Sequence, residues 1–161
     1  MKKPQLLRQH LVAAVPALDK DPERLLIYVD GGGLAAGFAA GLSFEYRYTL
    51  DLVLTDYAGS PESVMVPLLQ WLTRHQPELL SNAAKRGELR FEVDVLAGDL
   101  VDLSIKIPLT ERVIIRQDDA GLWQLAHAPE PPPEYEHRHT LAGGEVYDAG
   151  ALVARLPEIV G

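Results

Sequence analysis

Polar and apolar residues alternate most regularly across residues 42–54, LSFEYRYTLDLVL. Leu42, Phe44, Tyr46, Tyr48, Leu50, Leu52 and Leu54 take every second position, and Ser43, Glu45, Arg47, Thr49, Asp51 and Val53 fill the places between. Strand side chains point alternately to two faces, so the pattern predicts a strand with one apolar and one largely polar face. At about 3.3 Å per residue it would reach roughly 43 Å, against a usual strand of about 5–6 residues. A strand that long overhangs its own core and offers unpaired backbone groups to a second chain. It is the expected spine of the sheet. Tyr46 and Leu50 should be buried towards helices, with Glu45 and Arg47 on the other face.

Two helices are expected to pack that sheet. After Pro4, Leu7, Leu11 and Ala14, with Val15 beside them, form a helical stripe ending near Pro16. Ser60 and Pro61 read as the cap and first turn of a second helix, whose apolar face is Val64, Leu68, Leu69, Trp71 and Leu72. Pro67 should kink or restart it. Trp71 reads as a core residue covering the sheet in preference to a ligand contact.

Shorter patterns fill in the rest. LLIYV at residues 25–29 is a continuous apolar run, expected as a strand buried on both faces and stopped by Asp30-Gly31-Gly32-Gly33. Residues 88–95 and 101–107 alternate around Ala97-Gly98-Asp99 and predict a hairpin. Residues 112–117 and 122–127 predict a second one around Asp118-Asp119-Ala120-Gly121. Pro129, Pro131, Pro132 and Pro133 make a stiff, extended linker. Beyond it Asp148 is placed to cap a short helix carrying Leu152, Val153 and Leu156. The expected organisation is an α+β core domain over residues 1–127, a proline-rich linker over 128–134, and a C-terminal arm over 135–161. The sheet is mixed or antiparallel with a long central strand. The arm is too apolar to stay exposed, and its options are its own core, a neighbouring subunit or another protein. A neighbour is preferred, because the linker carries it outward.

Composition narrows the function classes. The chain has no cysteine, which excludes disulfides and thiolate chemistry. Its net charge of −8 argues against tight nucleic-acid binding, which needs a basic face. No apolar run approaches the roughly 18 residues of a membrane span, and Pro4, Gln5, Arg8, Gln9 and His10 break the pattern of a signal peptide.

Candidate chemistry is sparse. The glycines at 31–33 lack the lysine of a phosphate loop, and no clear helix follows them, so a hairpin connection is preferred to a nucleotide site. His137 and His139, beside Glu134, Glu136 and Glu145, form the one metal-like cluster, but nothing fixes the remaining ligands. A solvated linker is preferred there. Asp94, Asp99 and Asp102 gather at a hairpin turn, where turn geometry explains them as well as catalysis does. His10, His75 and His127 have no adjacent nucleophile, and no serine sits in a nucleophile elbow. No catalytic residue, metal ligand or cofactor is assigned. Glu45, Arg47 and Asp51 share a strand face, either solvated or in charged contact with a neighbouring subunit. With Tyr147, Leu152, Val153 and Leu156 of the arm they form the candidate subunit interface.

Five segments together resemble one family. They are KKPQLLR, DPERLLIYVDGG, LSFEYRYTLDLVLTDYAG, MVPLLQWLTRHQPELL and VDLSIKIPLTERV, spread over residues 1–116. They are similar to the tail completion protein R family of contractile-tailed temperate phages. The resemblance implies a virion structural protein without catalytic residues, tail-terminator-like in fold. It implies action at the head-proximal end of the tail, ending tube and sheath growth or preparing head joining. A cyclic oligomer, a hexamer matching the sixfold tail, is expected by the same analogy. Its partners would be other copies of itself, the tail tube, the sheath or neck proteins. Its place would be the virion tail, or a tail-like particle of a prophage or bacteriocin, assembled in the host bacterial cytoplasm. Two rivals are a generic interaction adaptor and a small metal- or acid-dependent enzyme.

Overall fold

The computed structural model describes residues 1–37, 41–131 and 142–160. The chain opens with α1 (Lys3–Ala14) and α2 (Pro16–Lys20), then forms β1 (Leu25–Ala36) and β2 (Phe44–Tyr57). Next come α3 (Glu62–His75), the single turn α4 (Glu78–Ser81), β3 (Arg90–Val95), β4 (Val101–Gln117) and β5 (Trp123–His127). A hairpin of β6 (Gly144–Asp148) and β7 (Ala151–Leu156) ends it. The fold is α+β. The main sheet runs β1-β2-β4-β3, β5 adds to the far end of β4, and every pairing is antiparallel.

Alternation decides what is buried. In β2, Tyr48, Leu50, Leu52 and Leu54 lie opposite Leu109, Ile107, Ile105 and Leu103 of β4, and all eight are buried. Opposite residues share a face, so these rows form the floor of the core. Leu7, Leu11 and Ala14 of α1, spaced to share one side of a helix, pack onto it with Val64, Leu68, Trp71 and Leu72 of α3. Trp71 is a buried core residue, stacked on His75 with ring centroids 4.3 Å apart. α3 continues through Pro67 as one helix and does not restart there.

The glycines do not stop β1. Val29 faces Leu50 and Gly32 faces Tyr48, so Asp30 and Gly31 together oppose Thr49. This is a β-bulge, and Gly31 supplies its positive φ of 75°. The extra residue reverses the alternation and turns Leu34 to the face of Leu25, Ile27 and Val29. Nor is β1 buried on both faces: Leu26 and Tyr28 are exposed, because β1 is an edge strand with helices on one side only.

β4 is a single strand of 17 residues where two separate runs are expected. Pro108 lies in its middle without breaking it. Backbone groups alternate in direction, and Pro108 shares its direction with Thr110, whose N–H reaches Gln76 Oε1 at 3.1 Å. On that side β3 starts, at Arg90, opposite Lys106, and β5 finishes, at His127, opposite Val113. The absent N–H of Pro108 therefore faces a gap between two partner strands.

The C-terminal arm departs furthest from expectation. Leu152, Val153 and Leu156 lie in strand β7, not in a helix capped by Asp148. Ala149 and Gly150 both have positive φ, 45° and 86°, which is the geometry of a two-residue hairpin turn. The hairpin packs on the same chain's α1, α2 and α3, burying Ala154 and Leu156. Gln70 donates to the Pro157 carbonyl at 3.0 Å, and His75 Nε2 donates to that of Val160 at 3.1 Å. The preferred docking on a neighbour gives way to docking on its own helices, because these strands present an apolar row that the outer side of the helices receives. Residues 132–141, which include the last three residues of the expected linker, lie outside the described residues.

Candidate assembly surfaces

The helix-side face of the sheet does not end where the helices end. Beyond the Tyr48–Leu109 row come Leu34, Tyr46 and Glu111, then Ala36, Phe44, Val113 and His127. Further out, Ile115 opposes Leu125 and Gln117 opposes Trp123. This end keeps the alternation and the apolar residues of the covered part. Its burial is different further out: Glu111 and Val113 are still buried, but Leu34 is 61 % exposed, Trp123 61 % and Leu125 62 %. Phe44 and Tyr46 are half-buried, with their rings packed edge to face at 4.9 Å. Tyr46 thus faces the helix side as expected but lies at the margin of the cover. Exposed apolar surfaces of this kind are characteristic of contact sites.

A buried polar seam divides the two parts. Glu111 is 4 % exposed, and its carboxylate accepts from the N–H of Lys2 at 2.6 Å, from the N–H of Lys3, and from the Tyr48 hydroxyl. A carboxylate against the first N–H groups of α1 satisfies donors that lack helical partners and complements the helix dipole. Burial, then the Glu111 hydrogen bond and charge, push the Tyr48 hydroxyl far above its ordinary range, so it stays a donor. His127 Nδ1 lies 3.6 Å from the other side of Glu111. Lys3 Nζ reaches Glu130 and Gln76 Oε1, each at 2.6 Å. The seam holds α1, α3 and β4 together. It contains no serine or cysteine nucleophile, and its polar groups are engaged with one another except His127 Nδ1, which is buried without a hydrogen-bond partner. Residues 108 and 109 apart in the chain meet here, and no local motif signals it.

Comparison with known proteins decides the family. The model of P2 phage tail completion protein R (GpR) matches residues 1–131. The chain belongs to the P2 phage tail completion protein R family. It is 38 % identical to tail completion protein R of Escherichia phage P2 over 160 residues, covering 98 % of this chain and all of that protein. No solved structure matches the chain. The family model thus spans the main sheet and its helices, and the P2 relative extends through the hairpin. The match is to a family of structural tail proteins, not of enzymes.

The candidate residues of this family member fall in three places. Glu45 and Arg47 lie on the bare face of the sheet, paired at 2.7 Å. Asp51 shares that face but is 5 % exposed, with Lys106 Nζ at 3.7 Å. Tyr147 is exposed on the outer hairpin, donating to Glu145 at 2.7 Å. Leu152 and Val153 are half-buried, and Leu156 is buried under the hairpin. They do not form one patch.

The enzyme rival finds no support in the acids. Asp94 opposes Asp102 across β3 and β4, Asp102 accepts from the Asp56 N–H at 2.9 Å, and Asp99 sits in the turn at φ 59°. They serve a turn and a strand end. His137 and His139, with Glu134 and Glu136, lie outside the described residues. Among the described residues no group of three or more metal-ligating side chains gathers, and no helix is long and apolar enough to cross a membrane.

Proposed function

We propose that this chain completes a phage tail as a ring-forming structural component. It caps the head-proximal end of the tail tube and supports head–tail joining. Family membership supports the tail role. The observation that supports assembly through its own surface is the uncovered apolar end of the sheet, with Leu34, Trp123 and Leu125 exposed. Its partners on this reading are other copies of itself, in a closed ring of six, and the tube, sheath or neck proteins around the ring. Glu45 and Arg47 on the bare face, and Tyr147 on the hairpin, are the candidate interface residues that remain open to a neighbour. Asp51 and Leu156 act behind them, as an ion pair with Lys106 and as a hairpin anchor. The particle is a virion tail or a tail-like particle, built in the bacterial cytoplasm.

Electron microscopy of the purified protein mixed with tail tubes tests this. Density at one tube end is expected. Binding along the whole tube, or no binding, would overturn it. With a net charge of −8 the protein is also expected to leave duplex DNA alone at physiological salt, and a nanomolar dissociation constant would contradict that.

A further inference from the structure

Among the described residues the main sheet has two unlike free edges. β1 forms one. β3 and β5 form the other, end to end along β4. β3 carries Arg90, Glu92 and Asp94 at alternate positions, charges of the kind that blunt an edge. β5, WQLAH, has no proline, lysine or acid, and among the described residues no strand pairs with its outer side. Past its bulge β1 reads GLAA at residues 33–36 and is equally free of charge.

Direction and facing make these two edges complementary. β1 is antiparallel to β2, β2 to β4, and β4 to β5, so β1 and β5 run in opposite senses. A second copy that continues the sheet past β1 therefore brings its β5 alongside in antiparallel orientation, the pairing with the better hydrogen-bond geometry. The two segments meet at the row Ala36, Phe44, Val113 and His127, with residues 33–36 to one side of it and β5 to the other, so pairing them along their length staggers one copy against the next. Leu34, Leu125 and Trp123 all face the helix side, so pairing sets exposed apolar groups of one copy beside those of the next.

We infer that residues 33–36 of β1 pair edge to edge with β5 of a second copy, continuing one antiparallel sheet from subunit to subunit. The two edges differ, so the contact is head-to-tail. Repeated, it closes into a ring or runs on as a filament, and it does not stop at a two-fold dimer. The inference rests on the self-assembling reading above and supplies its contact.

The absence of native cysteine gives a clean test. Gly33→Cys or Ala35→Cys on β1 is combined with Gln124→Cys or Ala126→Cys on β5, in the four pairings that sample the register. All four positions lie on the bare face, and a side chain at Gly33 meets nothing nearer than the Arg47 carbonyl at 4.0 Å. Antiparallel neighbours sit about 4.5–5.5 Å apart at Cα, within disulfide range. Oxidised full-length double variants should run as a ladder to trimer and above on a denaturing gel, and each single variant as monomer. A β1 single variant that stops at covalent dimer would overturn the head-to-tail contact. An oligomer by light scattering with no cross-link in any pairing would overturn the edge pairing and leave the tail-capping reading standing. A monomer at every concentration would overturn self-assembly as well. Hydrogen exchange on the unsubstituted chain is independent of these variants. Protection of residues 33–36 and 123–127 should rise together with concentration, and fast exchange of both segments in an oligomer would overturn the pairing.

Discussion

The two ends of the sheet's helix side carry the same chemistry and meet opposite fates. At one end Leu50, Leu52 and Leu54 of β2 lie under α1 and α3 and are fully buried. At the other, Leu34, Leu125 and Trp123 continue the same face and stand in solvent. Residue type does not separate them. The reach of the helices does, because a helix covers only about 1.5 Å of sheet per residue whereas a strand advances about 3.3 Å. Of two strands of 14 and 17 residues, a 12-residue helix and a 14-residue helix can cover a part. The remainder is surplus for this chain alone.

The largest effect should come from the covered end. Leu52→Ala removes a fully buried side chain from between Ile27 and Ile105 and should cost about 2–5 kcal/mol, by lost transfer energy plus a residual cavity. Chemical denaturation of the monomer measures it. A loss no larger than that of Leu125→Ala would break the comparison.

The seam should come next. Glu111→Ala leaves the Tyr48 hydroxyl and the N–H groups of Lys2 and Lys3 without their acceptor. Each buried polar group left unpaired costs about 1–3 kcal/mol. Water can reach the N–H of exposed Lys2, however, and losing the buried carboxylate charge offsets part of the rest, so the expected loss lies below that of Leu52→Ala. Hydrogen exchange should also report faster opening at the start of α1. An unchanged denaturation midpoint would show that the carboxylate does not hold the helix.

Acid should act on the covered end too. Burial first, then the positive charge of Lys3, lowers the His75 imidazole to about 4 from an ordinary 6.5, with Arg74 and His10 adding to the effect and the Val160 carbonyl opposing it. Between these values the unfolded chain takes up a proton that the folded chain refuses. The stability is therefore complete above pH 6.5 and is lost as pH falls towards 4. Thermal midpoints should fall across that window, and less steeply in His75→Gln. Parallel pH profiles for the two proteins would contradict this.

Alternation made the sheet's facing legible, and the stripes of α1 and α3 announced what covers it. Three features were not legible for separable reasons. Residues 101–107 and 112–117 read as separate strands, since the gap that excuses the missing N–H of Pro108 between them depends on how far β3 and β5 extend. Asp148 is chemically as suited to a helix cap as to a turn, and Ala149 carries no sign of its positive φ. Asp30-Gly31 reads as a stop, although a bulge of two residues against Thr49 keeps the strand going. The seam was hidden by distance in the chain. Glu111 lies within a strand pattern as an ordinary polar residue, and only folding brings it to the start of α1.

The smallest effect on stability should come from the uncovered end, where it is most informative. Trp123→Ser and Leu125→Ser alter side chains that are 61 % and 62 % exposed on the edge strand β5. Exposed substitutions away from caps, turns and buried pairs change stability by about 0.5 kcal/mol or less. The monomer's denaturation midpoint should hardly move, although the two side chains exceed Leu52→Ala in volume removed. Assembly is where they should register. If these residues meet β1 of a neighbour, the double variant lowers the mass seen by light scattering at a concentration where the parent assembles. It also loses the density at the tube end. An exposed tryptophan within an apolar patch is the kind of residue that dominates an interface. A variant that unfolds early would mean the exposed end is part of the core after all. A variant as stable as the parent, and as well assembled, would leave these side chains without a role in either, and the two ends of the sheet would then differ in burial without differing in use.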